Sequence, residues 1–216
     1  MVHGRKPLKG SIPISGAKNA ALPIMAASLL TEGKTTLTHV PSLTDVHTLA
    51  EILRGLGVDV EWTGSNTMTL EVTSEDRSHP DTDLVSRMRA SICVMGPLVA
   101  RRGRVVIHKP GGCVLGARPI DLHLEGLENL GASTRTSHGY VMVTADRLKG
   151  AHMDLAGPFG STVLGTANVM MAATLAEGTT VIETAAKEPE IQNLAHYLNA
   201  CGAKISGIGT DVLTIE

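Results

Sequence analysis

Aromatic side chains are almost absent from this chain of 216 residues: one Phe, one Trp and two Tyr make up 2% of it. Platforms that grip single-stranded nucleic acid by stacking bases on aromatic rings have no material here. A basic excess is missing too. The formal net charge of −2 gives no electrostatic footprint for a phosphate backbone, so no nucleic-acid partner is expected. Cysteine is scarce: Cys93, Cys113 and Cys201 are odd in number and lack CxxC spacing, which disfavours a disulfide framework or a zinc site and fits a reducing cytoplasm. No apolar run approaches the roughly 18 to 20 residues of a membrane span, and the opening Met1 to Gly10 has no signal-peptide apolar region. A cytoplasmic protein without a membrane partner is expected. Nine histidines show no metal-ligand spacing, and neither a metal nor a cofactor is called for.

With 43% hydrophobic and 19% charged residues the chain reads as an ordinary folded protein, its core built from Leu, Val, Ile, Ala and Met. Self-similarity sets its organisation. Leu49, Ala50, Leu53, Gly57 and Val60 recur as Leu194, Ala195, Leu198, Gly202 and Ile205 at a constant offset of 145. The middle of the chain supplies Leu124, Leu127, Leu130 and Gly131, followed by the strand-like Tyr140-Val141-Met142-Val143. Three units follow, about 10–75, 80–146 and 150–216, each with a first helix, a glycine, a short β run, a second helix ending in Gly, and two strands about a tight turn. Gly33, Gly103 and Gly178 close the first helices; Gly57, Gly131 and Gly202 close the second.

First helices are expected over Asn19 to Leu30, Leu84 to Val94 (ended by Gly96-Pro97) and Thr166 to Ala176, and Ser42-Leu43-Thr44-Asp45 resembles a capping box for a second helix. The last two of the first helices are apolar over most of their circumference, so helices should lie inside and sheets outside. The fold class is α/β, a threefold repeat of a βαβαββ-like unit forming a single domain that ends near Glu216. Cys93 and Cys201 fall in helix patterns and read as small core residues.

Two segments point to chemistry. In Lys109-Pro110-Gly111-Gly112-Cys113-Val114-Leu115-Gly116-Ala117-Arg118-Pro119-Ile120-Asp121, glycines let the backbone approach a ligand beside a thiol, and Arg118 offers a planar cationic fork for phosphate or carboxylate. This reads as a mobile catalytic lid. In Ser15-Gly16-Ala17-Lys18-Asn19-Ala20-Ala21-Leu22-Pro23 a lysine opens a helix, where partial positive charge and free N–H groups receive anions. The spacing is not that of a Walker A loop. Taken singly, a glycine-flanked cysteine is an ordinary loop residue and a helix-start lysine a solvated charge.

Together with Met88-Arg89-Ala90-Ser91, Gly96 to Arg101 and Lys187-Glu188-Pro189-Glu190-Ile191, these motifs resemble the UDP-N-acetylglucosamine 1-carboxyvinyltransferase family, in register over nearly the whole chain. The resemblance implies transfer of the enolpyruvyl group of phosphoenolpyruvate to the sugar 3-hydroxyl of UDP-N-acetylglucosamine, with release of phosphate, as the first committed step of peptidoglycan synthesis. It gives Cys113 the role of proton donor to the phosphoenolpyruvate methylene and of a nucleophile able to form an adduct. Lys18 and Arg118 would hold phosphoenolpyruvate, Arg89 and Asn19 would order the substrates, and Arg118, Pro119, Ile120, Asp121 and Leu122 would receive the uridine end.

Ser161, Thr162 and Val163, within Gly160 to Thr166, could cradle the diphosphate, although the family more often has Lys or Pro with Ser-Val-Gly-Ala-Thr there. His123 is a further candidate diphosphate contact. The family enzyme is about twice this length, with substrates between two such domains, so a complementary C-terminal half is expected as partner and this half alone should turn over little. The rival readings are a non-catalytic nucleotide-sugar-binding half-protein and a shikimate 3-phosphate transferase relative; the latter lacks the Pro-Gly-Gly-Cys loop.

Overall fold

The computed structural model describes residues 4, 7, 9–109, 119–158 and 160–216. The chain opens with α1 (Lys18–Ala27), a 3-10 turn (Ser28–Leu30), β1 (Lys34–Leu37), α2 (Thr44–Gly55) and the hairpin of β2 (Val58–Trp62) and β3 (Met68–Val72). Next come α3 (Thr82–Arg87), a 3-10 turn (Arg89–Val94), α4 (Met95–Arg102), β4 (Arg104–His108), α5 (Asp121–Asn129), β5 (Ser133–Ser137) and β6 (Tyr140–Thr144). The last stretch holds β7 (His152–Asp154), β8 (Ala156–Gly157), β9 (Gly160–Ser161), α6 (Val163–Ala173), β10 (Thr180–Glu183), α7 (Pro189–Ala200), β11 (Ile205–Ser206) and β12 (Val212–Ile215).

One strand order recurs in three sheets: β1-β3-β2, β4-β6-β5 and β10-β12-β11 are each antiparallel, and β7 adds to the third in parallel with β10. In each, one face is apolar and closed. Val105, Ile107, Val141 and Val143 are fully buried while their neighbours Met142 and Thr144 face outward, the alternation of a one-sided antiparallel sheet. The helices fill the inside. Every residue of α6 from Gly165 to Ala173 is buried, as is α1 from Ala21 to Ala27. By contrast α2 and α7 bury a stripe, Val46, Leu49, Ile52 and Leu53 in one and Ile191, Leu194 and Leu198 in the other. Met25, Met68, Met95, Met170 and Met171 stand at 0% exposure, filling volume that aromatics occupy in other cores. Helices inside and sheets outside is therefore the architecture.

The six glycines assigned to helix ends all have φ between 70° and 107°, the left-handed region that ends helices with little strain only for glycine. Several boundaries differ from the sequence expectation. The helix expected over Leu84 to Val94 is not continuous: α3 ends at Arg87, Met88 is extended and Arg89–Val94 is a 3-10 turn, while Gly96-Pro97 lies inside α4, which runs to Arg102. Pro97 is its third residue, where an N–H would have no acceptor within the helix, and the Gly96 N–H donates to Asn168 Oδ1 at 2.7 Å. α6 starts at Val163, ahead of the expected Thr166, because Thr162 caps it by accepting from the Gly165 N–H at 3.3 Å.

The capping box of α2 does not form: Ser42 Oγ bonds His47 Nε2 at 2.9 Å, and no side chain caps the helix. Cys93 is buried, and burial pushes its thiol up to about 12, which leaves it unreactive. Cys201 corrects the core reading. It lies just beyond the last residue of α7 and is exposed. Among the described residues, no helix is long and apolar enough to cross a membrane.

Candidate active site

Six helical segments begin at one end of the helix cluster, and they open on the same cleft of about 950 Å³. Lys18 and Asn19 enter from the first turn of α1, Asp45 from that of α2, and Arg89 and Ala90 from the 3-10 turn. Asp121 and Leu122 come from the start of α5, Val163 and Leu164 from α6, and Glu190 and Ile191 from α7. The common direction sums helix dipoles and first-turn N–H groups into a positive field over one volume. Among the described residues, no side chain gives α1, α2, α5 or α7 a cap bond at these ends. Backbone N–H groups are left to face a ligand or solvent, which is the local chemistry of anion binding.

Lys18 reaches its place through a tight contact. A Cβ on Gly16 would lie 1.6 Å from the His39 carbonyl oxygen, so only glycine allows the chain to enter α1 along this path. Among the described residues, Arg87, Lys18 and Arg89 bring three cations to the cleft, and Asp45, Asp121 and Glu190 bring three carboxylates. Lys18 Nζ donates to Asp45 Oδ2 at 2.7 Å, and Asn19 Nδ2 to Glu190 Oε1 at 3.5 Å. Both members of the Lys18–Asp45 pair are well exposed, so the pair is worth no more than about 1 kcal/mol and an arriving phosphate can displace it. An incoming anion therefore competes with built-in carboxylates for these cations.

Lys18, Asn19, Arg89, Pro119, Asp121, Leu122, Ser161, Thr162 and Val163 are brought together around this one volume. Ile120 departs from that set; it is half-buried against the core. Cys113 and Arg118 lie outside the described residues. His123 is 2% exposed, with Nδ1 3.0 Å from Asn168 Nδ2, so it corrects the reading as a diphosphate contact. Helical geometry explains this. Residues two apart are about 200° apart around an α-helix, so a helix that turns Asp121 to the cleft turns His123 to the interior.

Asp45, Arg87 and Glu190 were missed by motif reading. Two of them carried a signal, since Asp45 and Glu190 are related by the same offset of 145 that defines the repeat. Applied to Lys18, that offset gives Val163, so the third repeat starts its helix without a cation.

Burial, with the positive charge of Arg89 acting the same way and Asp121 opposing, lowers His123 from 6.5 to about 4. The unfolded imidazole takes up its proton near 6.5 and the folded one only near 4, so the unfolded state binds more protons between these values. Stability should fall as pH falls through that window, by about 3 kcal/mol in all, with no further loss from this group below it. Urea unfolding at pH 7 and pH 4.5 checks this: His123→Gln should remove most of the difference, and an unchanged difference would contradict it.

The family model of EPSP synthase (3-phosphoshikimate 1-carboxyvinyltransferase) matches residues 2–216. A UDP-N-acetylglucosamine 1-carboxyvinyltransferase from Methylacidiphilum infernorum is 51% identical over 217 residues, covering 100% of this chain and 51% of that protein. UDP-N-acetylglucosamine 1-carboxyvinyltransferase 2 from Carboxydothermus hydrogenoformans is 52% identical over 217 residues, covering 100% and 50%. The chain thus spans about half the length of the curated relatives it matches. Among solved structures, the enolpyruvyl transferase NikO from Streptomyces tendae superposes with a TM-score of 0.82 at 25% identity, covering 99% of this chain and 49% of that one. EPSP synthase from Acinetobacter baumannii, at 21% identity, TM-score 0.75 and coverage of 98% and 48%, shares the fold. Matched by one family model along nearly its whole length, the chain belongs to the EPSP synthase (3-phosphoshikimate 1-carboxyvinyltransferase) family of enolpyruvyl transferases.

Proposed function

We propose that the chain forms one wall of a UDP-N-acetylglucosamine 1-carboxyvinyltransferase, which moves the enolpyruvyl group of phosphoenolpyruvate to the sugar 3-hydroxyl in peptidoglycan synthesis. The observation that carries the reading is the convergence of six helix starts, with Lys18, Arg87 and Arg89, on one cleft. A phosphate, a carboxylate and a diphosphate must all be held, and such a cleft supplies the N–H groups and cations to hold them. Identities of 51% and 52% to enzymes of that name favour the nucleotide sugar over shikimate 3-phosphate, since the EPSP synthase structure matches at only 21%.

In this reading the sugar hydroxyl adds to C2 of phosphoenolpyruvate while C3 receives a proton; the C2–O bond to phosphate then breaks as C3 gives a proton back. Cys113, on the glycine loop, is the proton donor and can also take the adduct. A thiol with a reference pKa of about 8.5 holds a proton at neutral pH and still exchanges it. Lys18 and Arg118 hold phosphoenolpyruvate and offset the charge that grows on the leaving phosphate. Arg89 and Asn19 order both substrates. Pro119, Asp121 and Leu122 receive the uridine end, and Ser161, Thr162 and Val163 face the diphosphate.

We read residues 10–75, 80–146 and 150–216 as three repeats of one domain, completed by a second half that brings the base for the sugar hydroxyl. Ile12 and Ile14, exposed by 81% and 87%, offer apolar surface for such a partner. We place the protein in the cytoplasm, where Cys113 stays reduced. Calorimetric titration of the 216-residue chain tests the substrate class. UDP-N-acetylglucosamine should bind and shikimate 3-phosphate should not; the reverse order would overturn the reading.

A further inference from the structure

Asn168 lies on α6 at 0% exposure, in the middle of the helix cluster. Its carboxamide touches three other segments. Oδ1 accepts from the Gly96 N–H of α4 at 2.7 Å, and Nδ2 donates to the Ile92 carbonyl of the 3-10 turn at 3.1 Å. Nδ2 also meets His123 Nδ1 of α5 at 3.0 Å, with a longer contact of 3.4 Å to the Leu164 carbonyl in its own helix.

The orientation of the amide follows from its partners. A backbone N–H can only donate and a carbonyl can only accept, so oxygen faces Gly96 and nitrogen faces Ile92. His123 Nδ1 must then be an acceptor, which makes the ring neutral with its proton on Nε2. Burial and the nearby Arg89 both favour that neutral form. The approach is close: a Cβ on Gly96 would lie 2.2 Å from the Asn168 carbonyl oxygen.

Three of the segments joined by this amide, the 3-10 turn, α5 and α6 itself, start at the cleft, and α4 braces them from behind through Gly96. Ile92 follows Arg89 in the same 3-10 turn, His123 follows Asp121 in α5, and Asn168 is in the second turn of a helix that opens with Val163 and Leu164. We propose that Asn168 is a positioning residue: through His123 and the Gly96 and Ile92 backbones it fixes the cleft ends of α5, α6 and the Arg89 turn relative to one another, and thereby sets affinity for the nucleotide sugar. This rests on the transferase reading of the cleft. A fully buried polar hub of this kind is costly when one partner is lost, and the cost falls on the geometry of what it ties together.

The nearly isosteric Asn168→Asp separates positioning from packing. It keeps the acceptor for Gly96 and removes the donors to Ile92 and His123, so His123 must bring its own proton to the new carboxylate. Among the described residues, the charged groups facing His123 are Arg89 from the 3-10 turn and Asp121 from α5. In the 216-residue chain, the His123 ring signal should titrate at higher pH in Asn168→Asp than in the parent. Affinity for UDP-N-acetylglucosamine should fall by about tenfold or more while unfolding stays cooperative. Unchanged affinity or an unchanged His123 titration overturns the proposal.

If Asn168→Asp does not fold, His123→Met and His123→Gln decide the matter: loss of the acceptor should weaken binding about tenfold, and the amide oxygen of His123→Gln should recover part of it. Parent-like affinity in His123→Met overturns the proposal. Should the parent chain fail to bind the nucleotide sugar, that failure belongs to the substrate reading, and the His123 titration alone decides whether the hub exists.

Discussion

Lys18→Met, placed in a completed two-half enzyme, should lower kcat/KM for phosphoenolpyruvate by about a hundredfold to a thousandfold, the usual loss when one preorganised group is removed from a site of growing negative charge. The ammonium sits at the first residue of α1, in the cleft where five other helical starts meet. Its partner is Asp45, at 2.7 Å. Methionine has similar length and good helix propensity, so the backbone and the packing of α1 should persist. Thermal unfolding should therefore change little, since an exposed pair contributes about 1 kcal/mol or less. Activity within tenfold of the parent would remove Lys18 from the chemistry and return it to the role of a solvated helix-start charge.

Much of the fold was legible because the chain repeats itself. Leu49, Leu53 and Gly57 aligned with Leu194, Leu198 and Gly202, and the structure gives these residues the same positions in α2 and α7 and just after them. The glycines read as helix ends carry positive φ because that reading rested on a steric rule of the backbone itself. Where tertiary partners decide, local rules failed. Gly96-Pro97 looks like a stop, yet a side chain 72 residues away supplies the acceptor for the Gly96 N–H. Ser42 to Asp45 looks like a cap, yet His47 takes the hydroxyl and Lys18 takes the carboxylate. Cys201 followed the helix pattern by extrapolation, one residue past the end of α7.

The cleft was legible to the extent that its residues sit in motifs at helix starts: Lys18 through its place at the start of α1, and Asn19, Arg89, Asp121 and Leu122 through the family resemblance. Asp45 and Glu190 were not, since a carboxylate in a first turn reads as a favourable dipole partner and nothing local shows that two such turns face each other. His123 was misplaced because proximity in sequence to Asp121 was taken for proximity in space. Asn168 carried no signal at all. A polar residue in the run Val163 to Ala173 only acquires meaning when α4, α5 and the Arg89 turn close around it.

In the proposed reading this chain provides one wall of a transferring site, and the reaction needs the other. Holding phosphoenolpyruvate, the sugar hydroxyl and the acid in line in a closed site is worth about 7 to 11 kcal/mol of barrier. That corresponds to a rate factor of about 10⁵ to 10⁸. An open cleft keeps the cations and the helix starts but leaves one side of both substrates in water, where each charge interaction is weaker.

The direct measurement is phosphate release from phosphoenolpyruvate and UDP-N-acetylglucosamine, followed with the 216-residue chain alone and with the carboxy-terminal half of a relative added. In the proposed reading the chain alone gives background release, and addition of the second half gives turnover that is abolished when an epoxide alkylates Cys113. Robust turnover by the chain alone, or a completed pair indifferent to alkylation of Cys113, would contradict it.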